Sequence, residues 1–377
     1  MLLVHPLVLS RSKDETFCSW FDKLTTSGMD RHVARTVPVT NVAIALAPVI
    51  AFLVMLWLMD SFRLVRPTSV LAALIYGVVA AAAVLWLHEW LLLARQVPAA
   101  VLSRYIAPLT EETAKALLVG TLVASARIGF LVDAAVLGFA VGTGFALFEN
   151  LSYLQSLTDA TVIVWLVRGL GTAMLQGGTT AIFAMLSKTY ADRHHDHLAL
   201  ACLPGWAAAV AIHATFNHRL LPAVAQTLVL LIALPLLVLW VFERSERSTR
   251  EWVFGGLDLD VELLALIASE SFVLTPFGRY LQELRARMPG PVVADMFCLL
   301  RLELELSVQA KAMLIARGAG VDVPVDEDLG ASLAERRYLQ QSIGTLGLLA
   351  LKPLQVTSYR DTWHRHLLQQ GRATRPG

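Results

Sequence analysis

Charge is scarce in this 377-residue chain: 16% of residues are Asp, Glu, Lys or Arg against 56% hydrophobic ones, and mean hydropathy is +0.59. That shortage excludes a highly solvated or disordered protein and points to a polytopic membrane protein. Cysteine is nearly absent as well. Cys18, Cys202 and Cys298 fall in different segments without metal-ligand spacing, which removes both a disulfide framework and a zinc knuckle. A formal net charge of +1 gives no polycationic surface, so nucleic acid is not an expected partner. There is no solenoid repeat and no low-complexity tract. The Leu-rich stretch Leu2–Leu9 is too short to span a bilayer, has no basic region before it and is followed by no convincing cleavage site, so it does not read as a signal peptide.

Long apolar runs fill the middle of the chain. They lie roughly at Asn41–Met59, Val70–Leu93, Thr110–Ala126, Ile128–Tyr153, Thr161–Ser187, Leu198–His218 and Leu220–Phe242, uncharged or nearly uncharged and long enough to cross a hydrocarbon core. The expected fold class is all-α: a polytopic transmembrane bundle of about seven helices at 41–242, embedded in membrane lipid. A polar tail at 1–40 precedes it, and a soluble helical domain at 243–377 follows. Within that last zone, spacing predicts a long helix around Val292–Ala316, a stop at Gly318/Gly320, a turn-like Val321–Gly330 and a further helix around Ser332–Leu349. Its surface is a possible seat for a protein partner.

The basic residues give two conflicting signals for orientation. Arg11, Lys13, Lys23, Arg31 and Arg35 argue for an inside amino terminus, while Arg244, Arg247 and Arg250 argue for an inside carboxyl terminus, and seven spans do not satisfy both. The charged, cysteine-poor carboxyl-terminal zone favours a cytoplasmic carboxyl terminus.

Against this apolar background, the polar residues inside the runs stand out. Ionisable side chains at membrane depth are functional-site candidates by default, because each costs about 2.5–3.5 kcal/mol at a helix centre. If consecutive runs alternate in direction, Glu111 and Glu112 at the start of the third run share a leaflet with Glu149 and Asn150 at the end of the fourth. Arg168 and Gln176 early in the fifth, and His213 and Asn217 late in the sixth, fall there too. His88-Glu89, late in the second, falls on the same side. The pairs Glu111/Lys115, Phe145/Glu149 and His213/Asn217 are each one helical turn apart and so share a face.

Such a set suits hydrolysis. One carboxylate of Glu111/Glu112 would take a proton from water, with Glu149 sharing that water. His213 and Asn217 would donate hydrogen bonds to a tetrahedral oxyanion, and Lys115 and Arg168 would balance charge. No nucleophile elbow and no H-E-x-x-H helix competes.

Three motifs in order, Glu111-Glu112-x-x-Lys115, Phe145-x-x-x-Glu149-Asn150 and His213-Ala-Thr-Phe-Asn217, resemble those of the PrsW family of intramembrane proteases of metal-independent or glutamic type. That family is related to the CAAX prenyl protease and bacteriocin-processing group, and the resemblance covers roughly Asn41 to Phe242. It implies peptide-bond hydrolysis near a membrane surface, in a bacterial cell membrane, on a membrane-tethered protein of the anti-sigma-factor kind. It leaves a divalent metal cofactor open.

One position departs from the family. Where its members tend to carry His after the Arg of the fifth span, Gln176 stands eight residues beyond Arg168. Gln neither shuttles a proton nor serves as a usual transition-metal ligand, so the alternative to a protease is a catalytically silent scaffold or regulatory receptor.

Two other features carry less weight. Asp192-Arg193-His194-His195-Asp196-His197 is metal-capable in composition but reads as a solvated loop on the face opposite the carboxylates. Gly138-x-x-x-Gly142 reads as close packing inside one chain rather than as a dimer face.

Overall fold

A computed structural model describes residues 39–156, 160–193, 200–321 and 328–351, with Trp363, Leu367 and Leu368. The amino-terminal tail, the histidines of the 192–197 cluster and most of the turn expected at 321–330 lie outside the described residues. The chain is all-α. Helices α1 (Val39–Leu58), α2 (Pro67–Ala94), α3 (Ala107–Ala124), α4 (Leu131–Ser156), α5 (Ala173–Ala191), α6 (Cys202–His218) and α7 (Ala223–Arg250) build one bundle. The carboxyl-terminal zone holds α8 (Gly256–Ala268), α9 (Pro276–Arg285), α10 (Gly290–Gly318) and α11 (Leu329–Leu351), the last bent at Gly344. The expected helices around Val292–Ala316 and Ser332–Leu349 are thus found, each a few residues longer.

Of the seven expected spans, four are long and apolar enough to cross a membrane: α1, α2, α4 and the helix beginning at Ala223. The other three fall short in length, charge or continuity. Helix α3 carries Glu111, Glu112 and Lys115 in its 18 residues, and α6 has 17 residues. The run leading into α5 is broken by a π-helical turn at Val167–Thr172. Another π turn, Leu102–Ile106, precedes α3. Such turns concentrate at functional sites.

Helix α4 is the central element. In its apolar stretch 83% of residues are buried, against 28% in α1, α2 and α7, which turn Leu71, Ile75, Val79, Leu228, Ile232 and Leu236 outward as a lipid-facing surface. Contacts fix the directions. Glycines meet backbone in antiparallel order, Gly77 against Val141 and Gly142 against Gln176, and Gly138 lies on Thr180 of α5. A Cβ on Gly142 would stand 2.1 Å from the Gln176 carbonyl oxygen, so the small residues set how closely α4 and α5 approach. Gly138-x-x-x-Gly142 therefore packs within the chain. Gly142→Ala is expected to destabilise the bundle by about 1–3 kcal/mol and to displace Gln176. Thermal unfolding in detergent checks the first effect, and a midpoint equal to wild type would contradict this packing.

The carboxyl-terminal helices sit at the end of the bundle where α3 passes into α4. Phe130 in that connection stacks edge-on with Trp252 (5.9 Å) and Trp363 (5.1 Å). A Cβ on Gly129 would fall 2.1 Å from the Trp363 ring. Buried ion pairs Lys311–Asp260 (2.6 Å) and Arg336–Glu303 (2.5 Å) register α8 and α11 on α10, whose Met296, Leu299, Leu306 and Leu314 form the local core. Helix α7 runs unbroken from the bundle into this zone, with Pro235 inside it.

At the same end, Asp60 occupies the turn between α1 and α2, where its Oδ2 accepts the Val65 N–H at 2.9 Å. Burial pushes its carboxyl up to about 6. Between about pH 4 and pH 6 the unfolded chain has released a proton that the folded protein keeps, so rising pH favours unfolding there. Stability falls by on the order of 3 kcal/mol across that window and stays level for this group above it. Asp60→Asn retains a carbonyl acceptor for Val65 and is expected to flatten the slope. Unfolding midpoints at pH 4 and pH 7 measure it, and an unchanged slope in the variant would assign the titration elsewhere.

Candidate active site

The alternating direction of the helices gathers the polar residues at the end of the bundle away from the carboxyl-terminal zone. Glu111, Glu112 and Lys115 start α3, Glu149 and Asn150 lie near the end of α4, Gln176 and Thr179 start α5, and His213 and Asn217 end α6. All are buried except Glu149, which is nearly so, and Lys115 is fully buried. Three carboxylates thus face two fixed cations, Lys115 and Arg168, with the His213 imidazole as a further proton-binding group.

Glu112 is the anchor. Its Oε1 accepts from Lys115 Nζ (2.7 Å), His213 Nδ1 (2.7 Å) and Thr179 Oγ1 (3.0 Å). Lys115 spans to α5, donating to Gln176 Oε1 at 2.5 Å, and its ammonium lies 5.3 Å from the Phe145 ring centroid. That contact gives the motif phenylalanine a role, since a ring face attracts a desolvated cation.

Gln176 has one possible orientation. An ammonium only donates, so Lys115 fixes the amide oxygen on its side and turns the amide nitrogen toward the carboxylates. There Nε2 donates to Glu111 Oε2 (2.8 Å) and Glu149 Oε2 (3.1 Å), bridging α3 and α4. Arg168, carried by the π turn, donates through a terminal nitrogen to Glu149 Oε1 (3.2 Å) and through Nε to Asn150 Oδ1 (3.0 Å). Its guanidinium lies 3.5 Å from the Tyr153 ring centroid. Asn150 in turn donates to the Ala45 carbonyl of α1 at 2.8 Å.

The two residues expected to serve an oxyanion are placed differently. Asn217 Nδ2 donates to the Ser103 carbonyl at 2.9 Å, fastening α6 to the π turn before α3. One of its two amide N–H groups is engaged there, and the other has no acceptor among the described residues. His213 Nδ1 is held by Glu112, while its Nε2 has no hydrogen-bond partner among the described residues and lies 3.8 Å from Glu111 Oε2.

A cleft between α2, α3 and α4 reaches this layer, bordered by His88, Glu111, Phe145, Phe148, Glu149 and Tyr153 among others. Its space for water is about 20 Å³, room for one molecule. His88 is the residue that sequence reasoning passed over, noting its leaflet but giving it no role. Its Nε2 lies 2.7 Å from Thr110 Oγ1. Because the Thr110 hydroxyl donates to the Ile106 carbonyl (2.9 Å), the ring nitrogen is the donor, which leaves Nδ1 with the lone pair of the neutral imidazole. The signal available in the sequence was a histidine late in an apolar run, five residues before its end.

A family profile described as PrsW family intramembrane metalloprotease matches residues 63–241. No curated protein and no solved structure matches the chain.

The word metalloprotease invites a test of the donor set, and as arranged the set does not suit an ion. A metal takes lone pairs, whereas Gln176 turns N–H groups toward Glu111 and Glu149, and Glu112 Oε1 is filled by three donors. The unengaged lone pairs seen to approach one another are those of His213 Nε2 and Glu111 Oε2, 3.8 Å apart, fewer than the three or four ligands that a protein zinc site supplies. Among the described residues no group of three or more His, Cys, Asp or Glu side chains is arranged to hold a metal. The order and spacing of the glutamate, lysine, histidine and asparagine positions and the profile match agree: the segment 63–241 belongs to the PrsW family of intramembrane proteases.

Proposed function

We propose that the protein is an integral-membrane endopeptidase that hydrolyses a membrane-tethered polypeptide with a water molecule activated by Glu111. The observation that carries this reading is the cleft with room for one water, bordered by Glu111, Glu149 and His88. Glu111 takes a proton from the water and the resulting hydroxide attacks the carbonyl carbon of the scissile bond. His88, through Nδ1, relays the proton to the departing amine nitrogen as the C–N bond breaks. Glu149 holds the water's second hydrogen, and the Gln176 amide keeps the two carboxylates apart without supplying a proton itself. Glu112 acts on the reaction through His213 and Lys115, as a positioning residue. The carboxyl-terminal zone, at the far end of the bundle, is assigned to the cytoplasm of a bacterial cell, which sets the cleft on the outer side.

A second reading rests on Gln176. An amide locked by Lys115 where relatives tend to carry His fits a silenced enzyme that retains the fold as a scaffold or receptor. Purified protein in detergent, incubated with a library of single-span, membrane-tethered polypeptides, separates the two. Cleavage by the wild type that is absent in Glu111→Gln supports the protease. Silence in the wild type with cleavage by Gln176→His supports the silenced enzyme, and silence in both supports the scaffold.

A further inference from the structure

We infer that the end of the bundle opposite the carboxylates carries a binding site for the headgroup of an anionic phospholipid, a phosphodiester bearing hydroxyl groups. A cavity of about 420 Å³ opens there between the start of α4, the end of α5 and the polar extension of α7. Arg193, Arg244 and Arg247 border it, together with the hydroxyl side chains Thr189, Ser245 and Ser248. This size accommodates a headgroup with its glycerol, and guanidinium forks match phosphate oxygens in pairs.

The neighbouring carboxylates leave two of the arginines available. Asp192 is engaged by Lys188, and Arg247 shares its charge with Glu243 at 3.1 Å. Neither Arg193 nor Arg244 is ion-paired among the described residues, and both are exposed. Glu251, the remaining carboxylate on the wall, is placed to accept hydrogen bonds from headgroup hydroxyls. The mixed set of cations and acceptors fits a hydroxylated phosphodiester better than a bare phosphate.

Position identifies the source of that phosphate. Arg244 follows the last apolar residues of α7 by two positions, and its guanidinium lies 5.9 Å from the ring centroid of Trp240, itself 59% exposed. An outward tryptophan beside an arginine at the end of an apolar run marks the depth of lipid headgroups. At that depth lipid phosphate is the concentrated anion, and basic pockets between membrane helices are established seats for it. Phe130 and Leu131 supply an apolar wall for the first carbons of the lipid.

The test uses the full chain in a neutral detergent with three probes: dihexanoyl phosphatidylglycerol, dihexanoyl phosphatidylcholine and inorganic phosphate. Binding is read as the shift in thermal unfolding midpoint with concentration. Phosphatidylglycerol is expected to raise the midpoint at concentrations at least tenfold below those needed for either other probe. Arg193→Gln/Arg244→Gln, both exposed positions, is expected to weaken its effect at least tenfold while leaving the midpoint without lipid unchanged. Native mass spectrometry of the wild type, expected to retain one phosphatidylglycerol, provides a readout independent of the variant. Equal effects of the two lipids, an unchanged response in the variant, or phosphate acting as strongly as phosphatidylglycerol would each overturn the assignment.

Discussion

Replacing Glu111 by Gln is expected to lower cleavage of a membrane-tethered substrate by about 10²–10⁴-fold, the range for removing a general base. The unfolding midpoint should fall little, for a structural reason. Glu111 Oε2 accepts from the Gln176 amide, and a glutamine in its place still presents a carbonyl oxygen to that donor. His88→Ala tests the relay separately. It removes the imidazole that borders the water but leaves Glu111 and its partners in place, so kcat is expected to drop while KM holds. The slow step would then be protonation of the leaving amine, and an amine with a better leaving group should recover part of the rate. If Glu111→Gln cleaves at the wild-type rate, water activation belongs to another group. If His88→Ala lowers KM and kcat together and no leaving group restores the rate, His88 only supports the wall of the cleft.

Glu112→Ala should act on the fold instead. The substitution strands the fully buried Lys115 ammonium and takes the acceptor from His213 and Thr179, three donors that converge on one oxygen. Breaking a buried pair by removing one partner costs about 3–5 kcal/mol, because the other charge is left without compensation. The expected result is a protein that unfolds at a much lower temperature or fails to accumulate in the membrane. Removing both charges distinguishes this cause from a general loss of packing. Glu112→Ala with Lys115→Met abolishes the stranded charge, and its stability is expected to exceed that of Glu112→Ala alone, a coupling that a double-mutant cycle with Lys115→Met reads directly. Stability of the double variant at or below that of Glu112→Ala would show that the network, and not the uncompensated ammonium, sets the loss.

These two glutamates are adjacent in sequence and alike in composition, and the sequence offered no means to separate them. Spacing states which residues share a helix face. It placed Glu111, Glu149, Gln176 and His213 in one layer because helices joined by short connections alternate in direction, and the structure has that layer. Spacing does not state which atom of a side chain meets which partner. The orientation of Gln176 is decided by Lys115, 61 residues away in the chain, and the assignment of Asn217 to the Ser103 carbonyl by a π turn that has no evident sequence mark. The long helices of the carboxyl-terminal zone were legible from apolar periodicity, Leu300 and Leu302 included, although their alternation with charge also suits a strand. Membrane crossings were legible where a helix is apolar throughout. They were less so where α3, α5 and α6 give up hydropathy to the polar layer or are short.

Helix α7 reaches from the bundle into the carboxyl-terminal zone as a single rod of 28 residues, about 42 Å long. Pro235 removes one backbone hydrogen bond partway along it, and a helix bends most easily at such a point. Next to that proline, Leu234 packs on Gly178 of α5, two residues beyond the amide that bridges the two glutamates, so the bend of the rod at Pro235 bears on the helix that carries the site.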